Sequence, residues 1–116
     1  QKIFNDASIT VNPTCVRVPV FYGHAEAIHL ETREPIDADQ VIQLLTDAEG
    51  IEVYPGQEFP TQVADAGGKD HVMVGRMRND ISHHSGINLW VVADNVRKGA
   101  ATNSLQIAEL LIKDYL

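Results

Sequence analysis

Asn88-Leu89-Trp90-Val91-Val92-Ala93-Asp94-Asn95-Val96-Arg97-Lys98-Gly99-Ala100-Ala101-Thr102-Asn103 is the stretch on which the fold turns. Its first part completes an apolar run, Ile87 to Ala93, that reads as a strand. Its last part opens a helix that runs from about Gly99 to Tyr115. Ala101, Leu105, Ala108, Ile112 and Tyr115 form one stripe of that helix, and Ile107, Leu110 and Leu111 spread it almost around the cylinder. A helix apolar on most sides needs more than one packing partner.

Working outward, Asp80 to Gly86 connects this strand to another at His71–Met77. Before them, Pro55 to Gly68 reads mostly as loop, with Gly67-Gly68 as a break. Ile51 to Tyr54 is a short strand. Asp37-Ala38-Asp39-Gln40 has the form of a capping box. Val41, Leu44, Leu45 and Ala48 follow it at helical spacing, and Gly50 fits just past the helix end. Ala25 to Thr32 alternates as a strand, with Ile28 and Leu30 facing one way and His29 and Glu31 the other. Val16, Val18 and Val20 also alternate, although Pro19 restricts that strand to an edge or an interrupted ladder. Ser8 to Val11 is a further short strand, Asn12-Pro13 a turn, and Gln1 to Phe4 the last turn of a helix. The sum is an α+β domain, a mixed and largely antiparallel sheet with flanking helices.

Composition bounds the function. With 9 basic and 16 acidic residues the net charge is −7 and no basic stripe is visible, which argues against a nucleic-acid partner. No apolar run approaches the length of a membrane span, and no signal peptide is visible. Cys15 is the only cysteine, so no internal disulfide can form and a reducing cytoplasm is the simplest setting. The chain opens Gln1-Lys2-Ile3-Phe4 without an initiator methionine, so a fragment of a longer protein is the expectation.

Chemistry concentrates in Thr14-Cys15-Val16-Arg17-Val18-Pro19-Val20-Phe21-Tyr22-Gly23-His24. Arg17 is a permanent planar cation, suited to gripping a carboxylate or phosphate with two bonds. His24 follows a glycine where the strand pattern stops, so its imidazole can face a cleft. It is the side chain best suited to move a proton near neutral pH. A strand histidine is more often structural, and an arginine more often a surface ion pair.

This segment and the stretch 88–103 together resemble the aspartate-β-semialdehyde dehydrogenases, and the resemblance covers essentially the whole chain but only about the last third of such an enzyme. It implies the fold of that family's C-terminal domain. It places residues 1–98 in a catalytic and dimerisation domain, and residues 99–116 in a helix that packs on an absent nucleotide-binding domain. The implied reaction is the NADPH-dependent reductive dephosphorylation of aspartyl phosphate, part of lysine, threonine and methionine biosynthesis. In it a cysteine thiolate displaces phosphate to give an acyl-enzyme, hydride arrives, and the semialdehyde leaves. By position in the motif His24 is the acid/base group and Arg17 the grip on the substrate's α-carboxylate. Lys2 matches a lysine that contacts the phosphate, Asn95 a residue that contacts NADP, and Gly99 opens the small-residue helix start beside it. The partners implied are a second copy of the chain, in a homodimer, and the small-molecule substrate.

The nucleophile of that family lies upstream of this segment. Cys15 therefore reads as a small buried hydrophobe. His83-His84, with Asp80 near, lack the spacing of a metal site and read as surface residues, so no metal is expected. Glu26 could help orient the cleft but is more simply solvated. Two other readings stay open at this point: a relative that kept the fold as an interaction protein, and a reductase for another acyl phosphate. The retention of Arg17 and His24 weighs against the first, and the stretch 94–103 against the second.

Overall fold

Residues 2–115 are described by a computed structural model. Gln1 and Leu116 lie outside the described residues, and with them the outermost positions of the expected N-terminal turn and of both domain ranges. Four strands form one sheet: β1 (His24–Glu31), β2 (Ile51–Val53), β3 (Val72–Asn79) and β4 (Gly86–Ala93), in the order β1-β4-β3-β2. β4 runs antiparallel to both β1 and β3, while β2 and β3 are parallel. This is the mixed, largely antiparallel sheet that the strand pattern predicts.

Each face of the sheet carries its own core. On one, Val74, Ile87 and Leu89 pack with Ala38 of helix α1 (Ala38–Thr46), flanked by Ile28, Val41, Leu45 and Ile51. On the other, Met73 and Val92 pack with Ala66, flanked by Ala25, Tyr54 and Trp90. Met73, Ile87 and Val92 have almost no exposed surface, so each contributes close to the full transfer value of its side chain.

α1 starts where the sequence says it should. The Asp37 carboxylate accepts from the Gln40 amide at 2.8 Å, and the Gln40 side chain accepts from the Asp37 amide at 3.0 Å. The Ala38 amide donates to the Asn79 side chain at 2.7 Å, which ties the helix entry to the end of β3. The helix stops earlier than the glycine suggests, with Asp47 as its cap. Gly50, at φ +77°, instead turns the chain into β2.

The segment between β2 and β3 is more ordered than its composition indicates. Gln62–Ala66 winds into a wide π-type turn. The Asp65 carboxylate accepts from the Thr61 amide at 2.7 Å and from its hydroxyl at 3.1 Å, while the Thr61 hydroxyl accepts from the Ala64 amide. The Trp90 indole donates to the Pro60 carbonyl at 2.9 Å and holds this segment against the sheet. A second π-type turn, Arg97–Ala101, precedes helix α2 (Thr102–Tyr115), so Gly99 lies in the turn and not in the helix proper.

Two expected strands do not form. Residues 9–18 have no regular structure, and residues 7–8 are a turn. The Val20 amide donates to the Val18 carbonyl at 2.9 Å, which makes Pro19 the centre of a three-residue turn. A strand is stable only with a ladder beside it, and no described strand pairs with this segment. Its side chains follow suit: Val16 and Phe21 are exposed, and so is Cys15, which is therefore not the buried hydrophobe its motif suggested. At the other end, no residue of α2 is buried, and Leu105, Leu110, Ile112 and Tyr115 are each at least half exposed.

Candidate functional site

His24 is the first residue of β1 and pairs with Ala93, the last residue of β4. Its side chain is exposed. The glycine before it is required by geometry. Gly23 is buried at φ +87°, and a Cβ there would stand 3.3 Å from each of the Ala66 Cβ, the Gln62 Cβ and the Ala93 carbonyl oxygen. The turn Gln62–Ala66 thus presses on the residue that delivers His24 to the end of the sheet.

The same end carries Asn95. Asp94, two residues before Val96, accepts the Val96 amide at 3.0 Å in a side-chain turn and the Gly68 amide at 2.9 Å. Its main-chain carbonyl accepts from the amides of Arg97 and Lys98. The Gly68 amide first, then the Val96 amide and the nearby Arg97, hold the Asp94 carboxyl below the usual carboxylate range. Asn95 is half-buried in the turn so formed, and its Cβ is 3.7 Å from where a Cβ on Gly99 would stand. Outside this turn the Asp70 carboxylate takes two bonds from Arg97, at 2.8 and 2.9 Å, and one from the Thr102 hydroxyl. Those partners, Arg97 first, hold the Asp70 carboxyl down at about 2.

His24, Asn95 and Gly99 are therefore gathered at one end of the β1–β4 pair. Arg17 and Lys2 are not joined to them by any hydrogen bond or ion pair among the described residues. Both are exposed, Lys2 in the turn 2–5 and Arg17 in the extended segment before the Pro19 turn. Glu26 is exposed as well. Two surface grooves, of about 410 and 540 Å³, flank α1 and are lined by none of these residues.

A family profile described as the semialdehyde dehydrogenase dimerisation domain matches residues 1–98. The chain belongs to this family. It is 78% identical over 115 residues to aspartate-semialdehyde dehydrogenase 2 of Vibrio cholerae, spanning 99% of this chain and 34% of that relative. Aspartate-semialdehyde dehydrogenase of Legionella pneumophila is 55% identical across the whole chain, again over 34% of its own length. The crystal structure of the Vibrio cholerae enzyme II superposes on all of this chain with a TM-score of 0.94, covering 35% of that chain. The Francisella tularensis enzyme, at 23% identity, shares the fold with a TM-score of 0.81. The chain thus spans about a third of the length of the relatives it matches.

A second polar cluster sits farther along β1. One His29 ring nitrogen is 3.0 Å from the Asp80 carboxylate and 3.3 Å from the Asn88 side chain, and the other is 3.3 Å from Glu31. Asp80, also held by Ser82 and His83, has a carboxyl pulled down to about 2, with Ser82 the main cause. Glu31 first, then Asn88 and the charge of Asp80, push the His29 imidazole above its ordinary 6.5. The sign follows. A raised histidine contributes stability in full below about pH 6.5, and that contribution is lost as pH climbs through the higher folded value. The melting temperature of the chain should therefore exceed that of His29→Gln most below about pH 6.5 and converge on it as pH rises through the higher folded value. A difference that does not change with pH would show that the proton on His29 contributes nothing. His83 and His84 stack with ring centroids 5.0 Å apart, and the His83 ring accepts from the Ser85 amide.

No described helix is long and apolar enough to cross a membrane. Sequence reasoning missed Asp94 and Asp70 as the carboxylates that hold the turn bearing Asn95. An Asp-Asn pair directly after a strand is a turn signal that could have found the first. The second depends on Arg97, 27 positions away, and leaves no local mark.

Proposed function

We propose that this chain is the C-terminal catalytic and dimerisation part of an NADP-dependent aspartate-semialdehyde dehydrogenase, acting on L-4-aspartyl phosphate in amino-acid biosynthesis. The observation that carries the reading is the 78% identity to the Vibrio cholerae enzyme across nearly the whole chain. A structure of that enzyme complexed with ASA exists at the same identity. In this reading residues 1–98 form the catalytic and dimerisation domain of a cytoplasmic homodimer. Residues 99–116 pack on a nucleotide-binding domain, which accounts for the exposed apolar surface of α2.

Within the intact site His24 serves as the acid/base group. It draws the proton from the thiol that attacks the acyl carbon and returns a proton as the semialdehyde forms. Arg17 holds the α-carboxylate with its planar fork, and Lys2 offsets the charge on the leaving phosphate. Asn95 and Gly99 fit a peripheral contact with NADP. The amide can donate or accept, and the bare glycine leaves its outer side open but for the Asn95 Cβ. Bound NADPH supplies the hydride.

The test compares the full-length protein with this chain alone, following NADPH formation from aspartate semialdehyde, phosphate and NADP. Turnover by the full-length protein and none by the isolated chain is the expected pair of results. An inactive full-length protein, or one active only on another acyl phosphate, would sink the assignment.

A further inference from the structure

We infer that Asp94 is a positioning residue, which fixes the strand end bearing His24 and the turn bearing Asn95 from a single buried carboxylate. This rests on the function proposed above. Asp94 is 5% exposed, yet neither proton transfer nor substrate binding uses it. Its two carboxylate oxygens serve two segments distant in sequence. One takes the Gly68 amide, just past the Gln62–Ala66 turn, and the other the Val96 amide. Gly68 is at φ +78°, a conformation that aims its amide at Asp94 and that a side chain would strain.

The segment held at Gly68 is the one that presses on Gly23 through Ala66 and Gln62. The segment held at Val96 contains Asn95. Ala93, next to Asp94, pairs with His24 itself. Three stretches therefore meet at Ala93-Asp94: 22–24, 62–68 and 93–98. Asp70 repeats the tie on the outer side by joining the exit of the 62–68 segment to Arg97 and Thr102. A group that moves both the proton carrier and the cofactor contact needs only a small shift to be felt, since misplacement by about 1 Å can cost 10²-fold in rate.

The experiment is Asp94→Asn in the full-length protein. An amide keeps the size but cannot accept from both amides with both of its atoms. The expected result is a kcat lowered about tenfold to a hundredfold and a raised KM for NADP, with the KM for aspartate semialdehyde near wild type. A purely structural role would lower the melting temperature and leave the folded enzyme's constants unchanged. Folded Asp94→Asn with wild-type kcat and KM for NADP overturns the inference. If Asp94→Asn does not fold, Asp70→Asn reads the same tie from its exposed side. It should raise the KM for NADP in the same direction by a smaller factor, and an unchanged KM overturns the inference.

A readout free of turnover separates this from the functional assignment. The His24 ring and Asn95 side-chain amide resonances of this chain should both shift in Asp94→Asn. Unshifted resonances overturn the positioning role. Shifted resonances in a protein whose full-length form does not turn over NADP overturn only the assignment of activity.

Discussion

In the full-length protein, His24→Ala is expected to lower kcat for NADP-dependent turnover of aspartate semialdehyde by about 10²- to 10⁴-fold, with KM for the substrate changed only modestly. The magnitude is that of losing a positioned acid/base group, because in the proposed role the imidazole acts on the thiol and the developing alcohol oxygen and not on the parts of the substrate that confer binding. The fold tolerates the change. His24 is exposed, and its structural task is the main-chain pairing with Ala93, which alanine also performs. Loss of rate with an unaltered melting temperature is thus the signature sought. His24→Gln should fall in the same range, since an amide can hydrogen-bond but cannot carry the proton at neutral pH. A kcat within a few fold of wild type in both variants would remove His24 from the reaction. The neighbouring Gly23→Ala is a poor control, because φ +87° and three contacts at 3.3 Å would displace the strand and the histidine together.

What the sequence revealed divides along a physical line. Elements stabilised by their own residues and by one layer of packing were legible. The Asp37–Gln40 box gave the start of α1 to the residue, and the alternation of Ile28, His29, Leu30 and Glu31 marked β1 as a strand, although of these four only Ile28 packs into a core. Where pairing depends on neighbours, period-2 alternation misled. Val16, Val18 and Val20 have the pattern of a strand, but Pro19 closes a turn through them and no ladder lies alongside. Cys15 was misplaced with them, for burial of a motif residue is a property of its surroundings. The π-type turns were not legible at all. Gln62–Ala66 is held by Asp65 and Thr61, polar residues that in sequence look like any loop, and by the Trp90 indole from a strand far along the chain. The candidate site splits in the same way. His24 and Asn95 could be named from their motifs, but the carboxylates that hold the turn beside them work across 26 and 27 residues.

Arg17→Leu is the second change with a large expected effect, and it should appear in KM. Leucine keeps the bulk of the aliphatic stem and removes the fork that would take two charge-assisted bonds from the α-carboxylate. Loss of bonds to a charged group of this kind corresponds to roughly 10²- to 10³-fold in KM for aspartate semialdehyde. kcat at saturation should fall less, provided that the carboxylate is held equally before and during the chemical step. Arg17→Lys should recover only part of the loss, since a single ammonium presents charge without the planar pair of donors. Stability should barely move. Arg17 is exposed in an extended segment and makes no ion pair among the described residues, so the variant deletes no fold contact. That combination, a KM effect with an unchanged melting temperature, distinguishes a ligand grip from a surface charge. Unaltered kinetics would assign Arg17 to the surface. A kcat loss with normal KM would mean that it orients the reacting group and not the carboxylate. The comparison also bears on Lys2. If Lys2 meets the phosphate, Lys2→Met should raise the KM for phosphate in the reverse reaction and leave that for the semialdehyde alone, so the two cations would report on opposite ends of one substrate.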